Sequence, residues 1–153
     1  TYIKTIDEKD LFEFFKEYVS KYKKPFNPSK DATLIKCMVF LKNKAKTLED
    51  IFNNAQYIIN DKIKIGNDDQ KLLDDQSKLI IKDFMTEYNK LASLSRENLE
   101  PLINFLIKKH KTNFKGVGQP LRIGLTSSRF GPGLYDVILS LDKAQVVKRL
   151  SKI

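Results

Sequence analysis

The stretch QPLRIGLTSSRFGPGLYDVILSLDKAQVVKRL, residues 119–150, decides how the last part of the chain folds. Its apolar positions recur at helical spacing, and turn signals interrupt them twice. Proline is tolerated in the first turn of a helix, so Pro132 predicts the start of a helix that continues to Leu141. Asp142 predicts the N-cap of a last helix. The stretch therefore predicts consecutive helices joined by tight turns.

The rest of the chain shows the same helical periodicity. Apolar residues recur at spacings of three and four along four further segments. These segments are Leu11–Tyr22, Leu48–Ile59, Gln76–Leu91 and Leu99–Ile107. Thr47, with Asp50 three residues later, predicts a capping box at the start of the second segment. No window alternates in the manner of a strand, so we predict an all-α fold.

Two boundaries within this helical pattern follow from local composition. Because proline is accommodated near a helix start, Pro101 makes Asn98, rather than Ser95, the expected N-cap of its helix. Residues 65–69 are rich in glycine and acids and predict a junction between sub-domains. We therefore predict two consecutive helical sub-domains, at residues 1–66 and 67–153.

The chain is strongly basic, and the excess charge is unevenly distributed. Lys and Arg number 28 against 19 Asp and Glu, a net charge of +9. Residues 108–153 hold ten basic and two acidic residues, a net of +8, whereas residues 67–107 hold five and eight, a net of −3. A second basic stretch, from Lys36 to Lys46, contains no acid. Such a distribution favours a polyanionic partner.

Several classes of protein are excluded by what the sequence lacks. Cys37 is the single cysteine and His110 the single histidine, so neither an intrachain disulfide nor a Cys/His zinc pattern can form. No run of 18 apolar residues and no signal sequence is present. We expect a cytoplasmic protein without a membrane partner or a bound metal. The chain begins with Thr1 rather than Met, and we expect it to be part of a longer protein.

The quoted stretch resembles the carboxy-terminal signature of bacterial glutamyl-tRNA synthetases, in which "QPLRxALTGS" leads into "GPGLFDVLxLLGKxxVLKRL". Two weaker patches extend the likeness. Tyr2-Ile3-Lys4 with Asp10-Leu11 is similar to the family's "YIR…EL" opening, and residues 41–48 are similar to its "LRERxKTL" segment. The resemblance covers nearly the whole chain and implies the all-α anticodon-binding region of such an enzyme.

The resemblance also implies which residues meet the tRNA. The residues implied to contact anticodon bases are Lys44, Arg122, Gly131, Pro132 and Leu134. Arg122 and the turn at residues 131–134 would contact the first two bases, and Lys44 the third. An arginine offers a planar fork of donors to base edges, while lysines and hydroxyls suit phosphate. The residues expected to contact phosphate are Lys42, Lys46, Thr126 and Ser128.

Catalysis is expected to lie outside these 153 residues. The resemblance implies a parent glutamate–tRNA ligase, which activates glutamate with ATP and transfers it to tRNA. The "HIGH" and "KMSKS" signatures that serve ATP are missing here, so we expect no catalytic residue in this chain and place ATP and Mg²⁺ in the catalytic half. The clustered acids Asp68, Asp69, Asp74 and Asp75 are interpreted as helix starts rather than as a metal site. The expected partner is glutamate tRNA, with glutamine tRNA left open, and the expected oligomeric state is a monomer.

Other interpretations of the same residues remain open at this point. The chain could be a basic helical module that docks on an acidic protein, or a general RNA-binding domain without anticodon specificity. Arg122 could be a solvated arginine or could brace its helix against Asp136. His110 is expected to be half-buried at a helix C-terminus rather than catalytic. The tyrosines on or beside apolar stripes are expected in the core, although an exposed one could stack on a base. They are Tyr57, Tyr88 and Tyr135.

Overall fold

The computed structural model describes residues 2–60, 64–129 and 132–153 of the chain. Across these residues the chain is helical and contains no strand, so the prediction of an all-α fold is confirmed. The chain divides into two compact units, Thr1–Lys62 and Ile63–Ile153. The junction predicted at Gly66 lies shortly after this division, and Gly66 is the N-cap residue of the first helix of the second unit.

The first unit is built around the pairing of its second and third helices. Its helices are α1 (Tyr2–Thr5), α2 (Glu8–Tyr22), α3 (Asp31–Leu41), α4 (Leu48–Asn54) and α5 (Gln56–Ile59). Short 3-10 turns at Pro28–Lys30 and Lys42–Lys44 flank α3. Helix α2 packs on α3 and α4 and buries Leu11, Phe12, Phe15 and Val19, which belong to the apolar stripe seen in the sequence.

The second unit surrounds one central helix. Its helices are α6 (Asn67–Gln70), α7 (Asp75–Asn89), α8 (Arg96–Lys109), α9 (Phe114–Thr126), α10 (Leu134–Ser140) and α11 (Lys143–Leu150). Helix α9 packs against α7, α8, α10 and α11. This helix carries the "QPLR" part of the quoted stretch, so the rest of the unit holds that motif in place.

Hydrogen bonds at three helix starts agree with the helix starts expected from the sequence. The backbone N–H of Asp50 donates to Thr47 Oγ1 at 3.1 Å, and the Asp50 carboxylate accepts from the N–H of Thr47 at 3.2 Å. The predicted capping box is therefore confirmed. Asp142 accepts from the N–H of Gln145 at 2.8 Å and caps α11 as predicted. Asp74 accepts from the N–H of Ser77 at 2.8 Å, and this bond lowers the pKa of the Asp74 carboxyl.

Two predicted helix starts are wrong, and both errors concern proline. Helix α8 has Ser95 as its N-cap, and its hydroxyl accepts from the N–H of Asn98 at 3.3 Å. Pro101 lies within the helix on its exposed side, where water can satisfy the carbonyl that loses its partner. Helix α10 begins at Leu134 with Gly133 as its N-cap, so Pro132 precedes the helix rather than opening it.

Candidate nucleic-acid interface

Helix α9 presents a polar stripe opposite its buried face. The helix starts after Asn113, whose side chain accepts from the N–H of Gly116 at 2.8 Å. Its buried face holds Val117, Leu121, Ile123 and Leu125. Lys115, Gln119 and Arg122 follow one another at spacings of four and three, which places them on the same side of the helix. Long polar side chains are thereby aligned on a rigid element.

A cavity of about 690 Å³ opens along this stripe. Its lining combines apolar and polar groups: Leu72, Phe114 and Gly118 with Lys115, Gln119, Arg122 and Arg129. Three of these side chains are cationic, and no acid is among the described residues that line the cavity. Asp69 lies beside it, with its carboxylate 3.6 Å from the Arg129 Nε. A cavity of this composition suits an anion that also has a flat apolar face, which is the chemistry of a nucleotide.

Arg122 is held at the edge of this cavity by a single described hydrogen bond. Its Nη1 donates to the backbone carbonyl of Arg129 at 3.3 Å, and the side chain is half-buried. Arg122 and Asp136 form no ion pair in the described structure, so the bracing role considered from the sequence is not observed. A guanidinium has five N–H donors, and most of those of Arg122 remain available to a ligand.

Thr126 and Ser128 shape the turn that ends α9. Ser127 adopts a left-handed conformation with φ of 65°. The Thr126 hydroxyl lies 2.9 Å from the carbonyl oxygens of both Arg122 and Ser128, to either of which it can donate. It also accepts from the N–H of Ser128 at 3.3 Å. These bonds fix the turn beside Arg122, while the phosphate contacts of Thr126 and Ser128 stay predictions.

The described part of the turn before α10, residues 132 and 133, supplies little exposed side chain. Gly131 lies outside the described residues, and Pro132 is buried. Leu134 is 2% exposed, and a Cβ added to Gly118 would lie 3.4 Å from its Cδ2. The Leu134 side chain therefore packs in the core against α9. Its contact with an anticodon base stays a prediction, and the burial of the side chain leaves that contact to the backbone.

The three lysines predicted in the first unit differ in their surroundings. Lys42 Nζ donates to the Ile6 carbonyl and to Glu8 Oε1, both at 3.1 Å, and its side chain is only 13% exposed. A backbone hydrogen bond, followed by the bond from Lys42, lowers the pKa of Glu8. Lys46 is exposed. The backbone of Lys44 ends a 3-10 turn, and its side chain lies outside what the structure describes.

Lys42 thus has internal partners that the sequence did not reveal. The contact of Lys42 with phosphate stays a prediction, and it would require this ion pair to open. Lys46 needs no such change, because its side chain already faces solvent. The basic stretch in the sequence therefore contains one lysine with internal partners, Lys42, and one lysine exposed to solvent, Lys46. Only the structure distinguishes the two.

The aromatic residues also separate into core and surface. Tyr57 and Tyr88 are 3% and 0% exposed, as expected for core residues. Tyr135 is only half-buried: Arg96 lies over its ring with Cζ 4.9 Å from the centroid, and the ring of Phe114 is 5.9 Å away. Phe114 itself is 44% exposed. Phe114 is not among the residues predicted from the sequence, although its position at the start of the helix with the polar stripe could have indicated it.

The single histidine, His110, takes part in a cluster of charged side chains at the end of a helix. His110 is the C-cap residue of α8, and its side chain is 12% exposed, as expected for a half-buried position. Its Nε2 lies 2.8 Å from Asp83 Oδ2, and Lys109 Nζ lies 3.0 Å from the same oxygen.

Among the described residues no group of three or more His, Cys, Asp or Glu side chains is placed to hold a metal ion. No helix in the described ranges is long and apolar enough to span a membrane.

Comparison with known proteins decides the family. Residues 8–153 match the family model described as the anticodon binding domain. The chain belongs to this family. The resemblance to glutamyl-tRNA synthetases noted in the sequence is confirmed by the relatives. The chain is 54% identical over 149 residues to a glutamate–tRNA ligase of Pelagibacter ubique, covering 97% of this chain and 32% of that protein. It is 28% identical over 156 residues to a glutamate–tRNA ligase of Nitrobacter hamburgensis, covering 97% and 33%.

Solved structures agree with the fold of this anticodon-binding domain. A glutamate tRNA ligase from Elizabethkingia meningosepticum, crystallised with its amino acid, matches with a TM-score of 0.79 at 17% identity. The match covers 99% of this chain and 30% of that one. A glutamate–tRNA synthetase from Elizabethkingia anophelis matches with a TM-score of 0.71 at 18% identity, covering 99% and 29%. The chain thus spans about a third of the length of the relatives that it matches.

Proposed function

We propose that this anticodon-binding domain is part of a glutamate–tRNA ligase and binds the anticodon loop of glutamate tRNA. The observation that carries the proposal is the cavity along α9, which combines three cationic side chains, an amide and an exposed aromatic ring. The membership of the chain in an anticodon-binding family supports RNA as the class of ligand that this cavity binds.

The chemistry of the cavity suits unpaired bases. In an anticodon loop the bases are splayed, so their pairing edges and flat faces are both open to a protein. Arg122 and Gln119 offer donors and an acceptor to a base edge, and the cations offer charge to phosphate. Lys115, Gln119 and Arg122 lie on the central helix of their unit, so these three groups are held by packing rather than by a loop.

The ligation itself belongs, in this proposal, to the part of the ligase outside this chain. The 153 residues contain neither of the ATP signatures of these enzymes and only one histidine. We therefore expect the chain alone neither to form an adenylate nor to charge tRNA, and we assign ATP and Mg²⁺ to the remainder of the protein. Cytoplasmic location and a monomeric state complete the proposal. Formation of glutamyl-adenylate by the purified chain would contradict this division of labour.

A titration with RNA tests the proposal directly. The chain is titrated with glutamate tRNA, with glutamine tRNA and with glutamate tRNA carrying altered anticodon bases, each at several salt concentrations. We expect tighter binding to the glutamate anticodon and a loss of roughly tenfold or more for a several-fold rise in salt, because phosphate contacts release counterions. Salt-dependent binding without anticodon preference would instead support a general RNA-binding domain. Binding to acidic proteins but not to tRNA would support a protein-docking module.

A further inference from the structure

We propose that the ring of Phe114 is the platform on which one base of the bound loop stacks, with Lys115 facing the phosphate of the same nucleotide. This inference rests on the proposed function and assigns a role to two residues that the sequence motif does not include. The two residues open α9 and line the same cavity as Arg122.

The Phe114 ring is supported from within the protein. It lies 5.9 Å from the Tyr135 ring at an interplanar angle of 45°, and Arg96 covers that tyrosine in turn. Arg96 Nε also donates to Glu100 Oε1 at 2.9 Å. A ring that is braced in this way loses little conformational freedom when a base binds, so stacking on it costs less entropy.

Gly118 lies beside this ring in the lining of the cavity. A Cβ added to Gly118 would be 3.8 Å from Phe114 Cε1, so the ring lies along the helix over a residue without a side chain. The ring is nevertheless 44% exposed, so its burial in the core is incomplete. An aromatic surface that is both braced and open at a cationic cavity is the arrangement that unpaired bases use for stacking.

The charges around the ring favour a nucleotide over an uncharged aromatic ligand. Lys115 follows Phe114 directly and is exposed, while Arg122 and Arg129 lie further along the same cavity. The three lining cations outnumber the one described acid beside the cavity, Asp69, so the local charge favours the approach of a phosphate. Stacking tolerates any base, so Phe114 should add affinity while Arg122 adds discrimination.

Phe105 offers a matched control for this role. Its ring is 47% exposed on α8 of the same unit, and Lys109 Nζ lies 5.9 Å from its centroid. It therefore resembles Phe114 in exposure and in having a nearby lysine. It does not line the cavity on α9. Replacement of either phenylalanine removes an exposed ring, but only one replacement removes it from the proposed site.

The experiment measures the binding of the 153-residue chain to an RNA stem-loop with the glutamate anticodon. We expect Phe114→Ala to weaken binding by about 5- to 150-fold, the effect of losing one base–aromatic stack. Phe114→Trp should retain the affinity, Phe114→Leu should lose most of it, and Phe105→Ala should leave it unchanged. With a stem-loop that is abasic at the stacked nucleotide, the original chain and Phe114→Ala should bind equally. Circular dichroism and thermal unfolding verify that each variant is folded.

The outcomes separate this inference from the function on which it rests. If the original chain prefers the glutamate anticodon but Phe114→Ala binds like Phe105→Ala, the platform is wrong and the proposed function stands. If Phe114→Leu binds as well as the original chain, the ring only packs against Tyr135 and the inference is again wrong. If the original chain shows no anticodon preference, the proposed function is wrong, whereas the platform is judged separately by the loss of affinity in Phe114→Ala.

Discussion

Arg149 donates a hydrogen bond from Nη1 to the backbone carbonyl of Leu125 at 2.7 Å, and this bond ties α11 to the end of α9. The Arg149 side chain is 6% exposed, and its Nε donates to Gln145 at 3.3 Å. The last carbonyls of a helix have no partner within the helix, and a cation there also interacts favourably with the helix dipole. The end of the helix that carries Arg122 is thus fixed by an arginine 24 residues later.

Replacement of Arg149 should therefore lower the free energy of unfolding, in addition to removing a positive charge. Arg149→Met leaves the Leu125 carbonyl buried without its donor, and we expect the free energy of unfolding to fall by about 2–3 kcal/mol. Arg149→Lys should cost less, because it keeps the charge and one donor. Urea unfolding followed by circular dichroism measures both. The neighbouring exposed residue provides the control, and Lys148→Met should change stability by less than about 0.5 kcal/mol. Equal stability of Arg149→Met and Lys148→Met would contradict the role of the bond.

The close approach of α9 and α11 at Gly124 gives a second test. A Cβ there would lie 2.7 Å from Leu150 Cδ2, and Leu150 is 1% exposed and has little room to move. Overpacking of this kind costs about 1–3 kcal/mol, and the better helix propensity of alanine returns about 1 kcal/mol. We expect Gly124→Ala to lower the free energy of unfolding by about 1 kcal/mol. At Gly66, where an added Cβ would meet no atom beyond the neighbouring backbone within 4 Å, the same change should be nearly neutral.

A double-mutant cycle isolates that contact. Leu150→Val shortens the side chain that the new methyl group meets, so Gly124→Ala should become neutral or stabilising in its presence. Chemical unfolding of the two single variants and the double variant measures the coupling. If Gly124→Ala has the same effect in both backgrounds, the close approach of Leu150 does not determine the cost.

The fold followed from the sequence because its causes are local. Apolar stripes at helical spacing define the buried faces, and the caps at Thr47 and Asp142 depend on side chains within three residues of the helix start. The errors at Pro101 and Pro132 have a common reason. A proline restricts its own backbone, but whether a helix passes through it depends on solvent access and on capping by other residues.

The site was only partly predictable, because its contacts are distant in sequence. The motif indicated Arg122, but it did not indicate that Phe114 and Leu72 line the same cavity. Lys42 and Lys46 are nearly indistinguishable in the sequence. Only the tertiary structure shows that Lys42 is paired with Glu8, which lies 34 residues before it. Pairing of this kind leaves no periodic signal in the sequence.

The difference between these two lysines leads to a third prediction. Lys46→Ala should weaken tRNA binding for all anticodons and reduce its salt dependence, because an exposed cation can contact phosphate without structural cost. Lys42→Ala should instead lower the free energy of unfolding by about 1 kcal/mol through loss of its hydrogen bond to the Ile6 carbonyl. Binding titrations at two salt concentrations and urea unfolding of each variant measure the contrast. A Lys42→Ala variant that is fully stable but binds tRNA weakly would show that Lys42 contacts phosphate and does not stabilise the fold.

The cluster around Asp83 predicts a dependence of stability on pH. Partial burial opposes ionisation of Asp83, but its bonds with Lys109 and His110 outweigh this effect and lower its pKa below 3.8. A carboxyl whose pKa is lowered on folding contributes stability above its unfolded pKa, and that contribution is lost as the pH falls through the folded value. Asp83→Asn should therefore be less stable than the original chain at pH 5, and the difference should shrink as the pH is lowered below 3.8. Urea unfolding at pH 5, 4 and 3 measures it, and a difference that stays constant would contradict the prediction.

The last prediction concerns Arg122. It distinguishes a domain that recognises anticodon bases from a general RNA-binding domain. A guanidinium that pairs with a base edge contributes about 1–3 kcal/mol to binding of the correct base, so Arg122→Ala should cost that amount with the glutamate anticodon and much less with an altered one. Arg122→Lys should restore only part of it, because an ammonium lacks the planar pair of donors. Lys115→Ala should weaken binding to both RNAs alike.

Titrations of the three variants with matched and altered stem-loops measure these differences. Circular dichroism must accompany them, since Arg122 also donates to the Arg129 carbonyl and its loss could loosen the turn after α9. If Arg122→Ala is folded and weakens binding to both stem-loops by the same factor, Arg122 contacts phosphate rather than a base. Discrimination between anticodons would then have to come from other groups in the cavity, of which Gln119 is the nearest on the same stripe of α9.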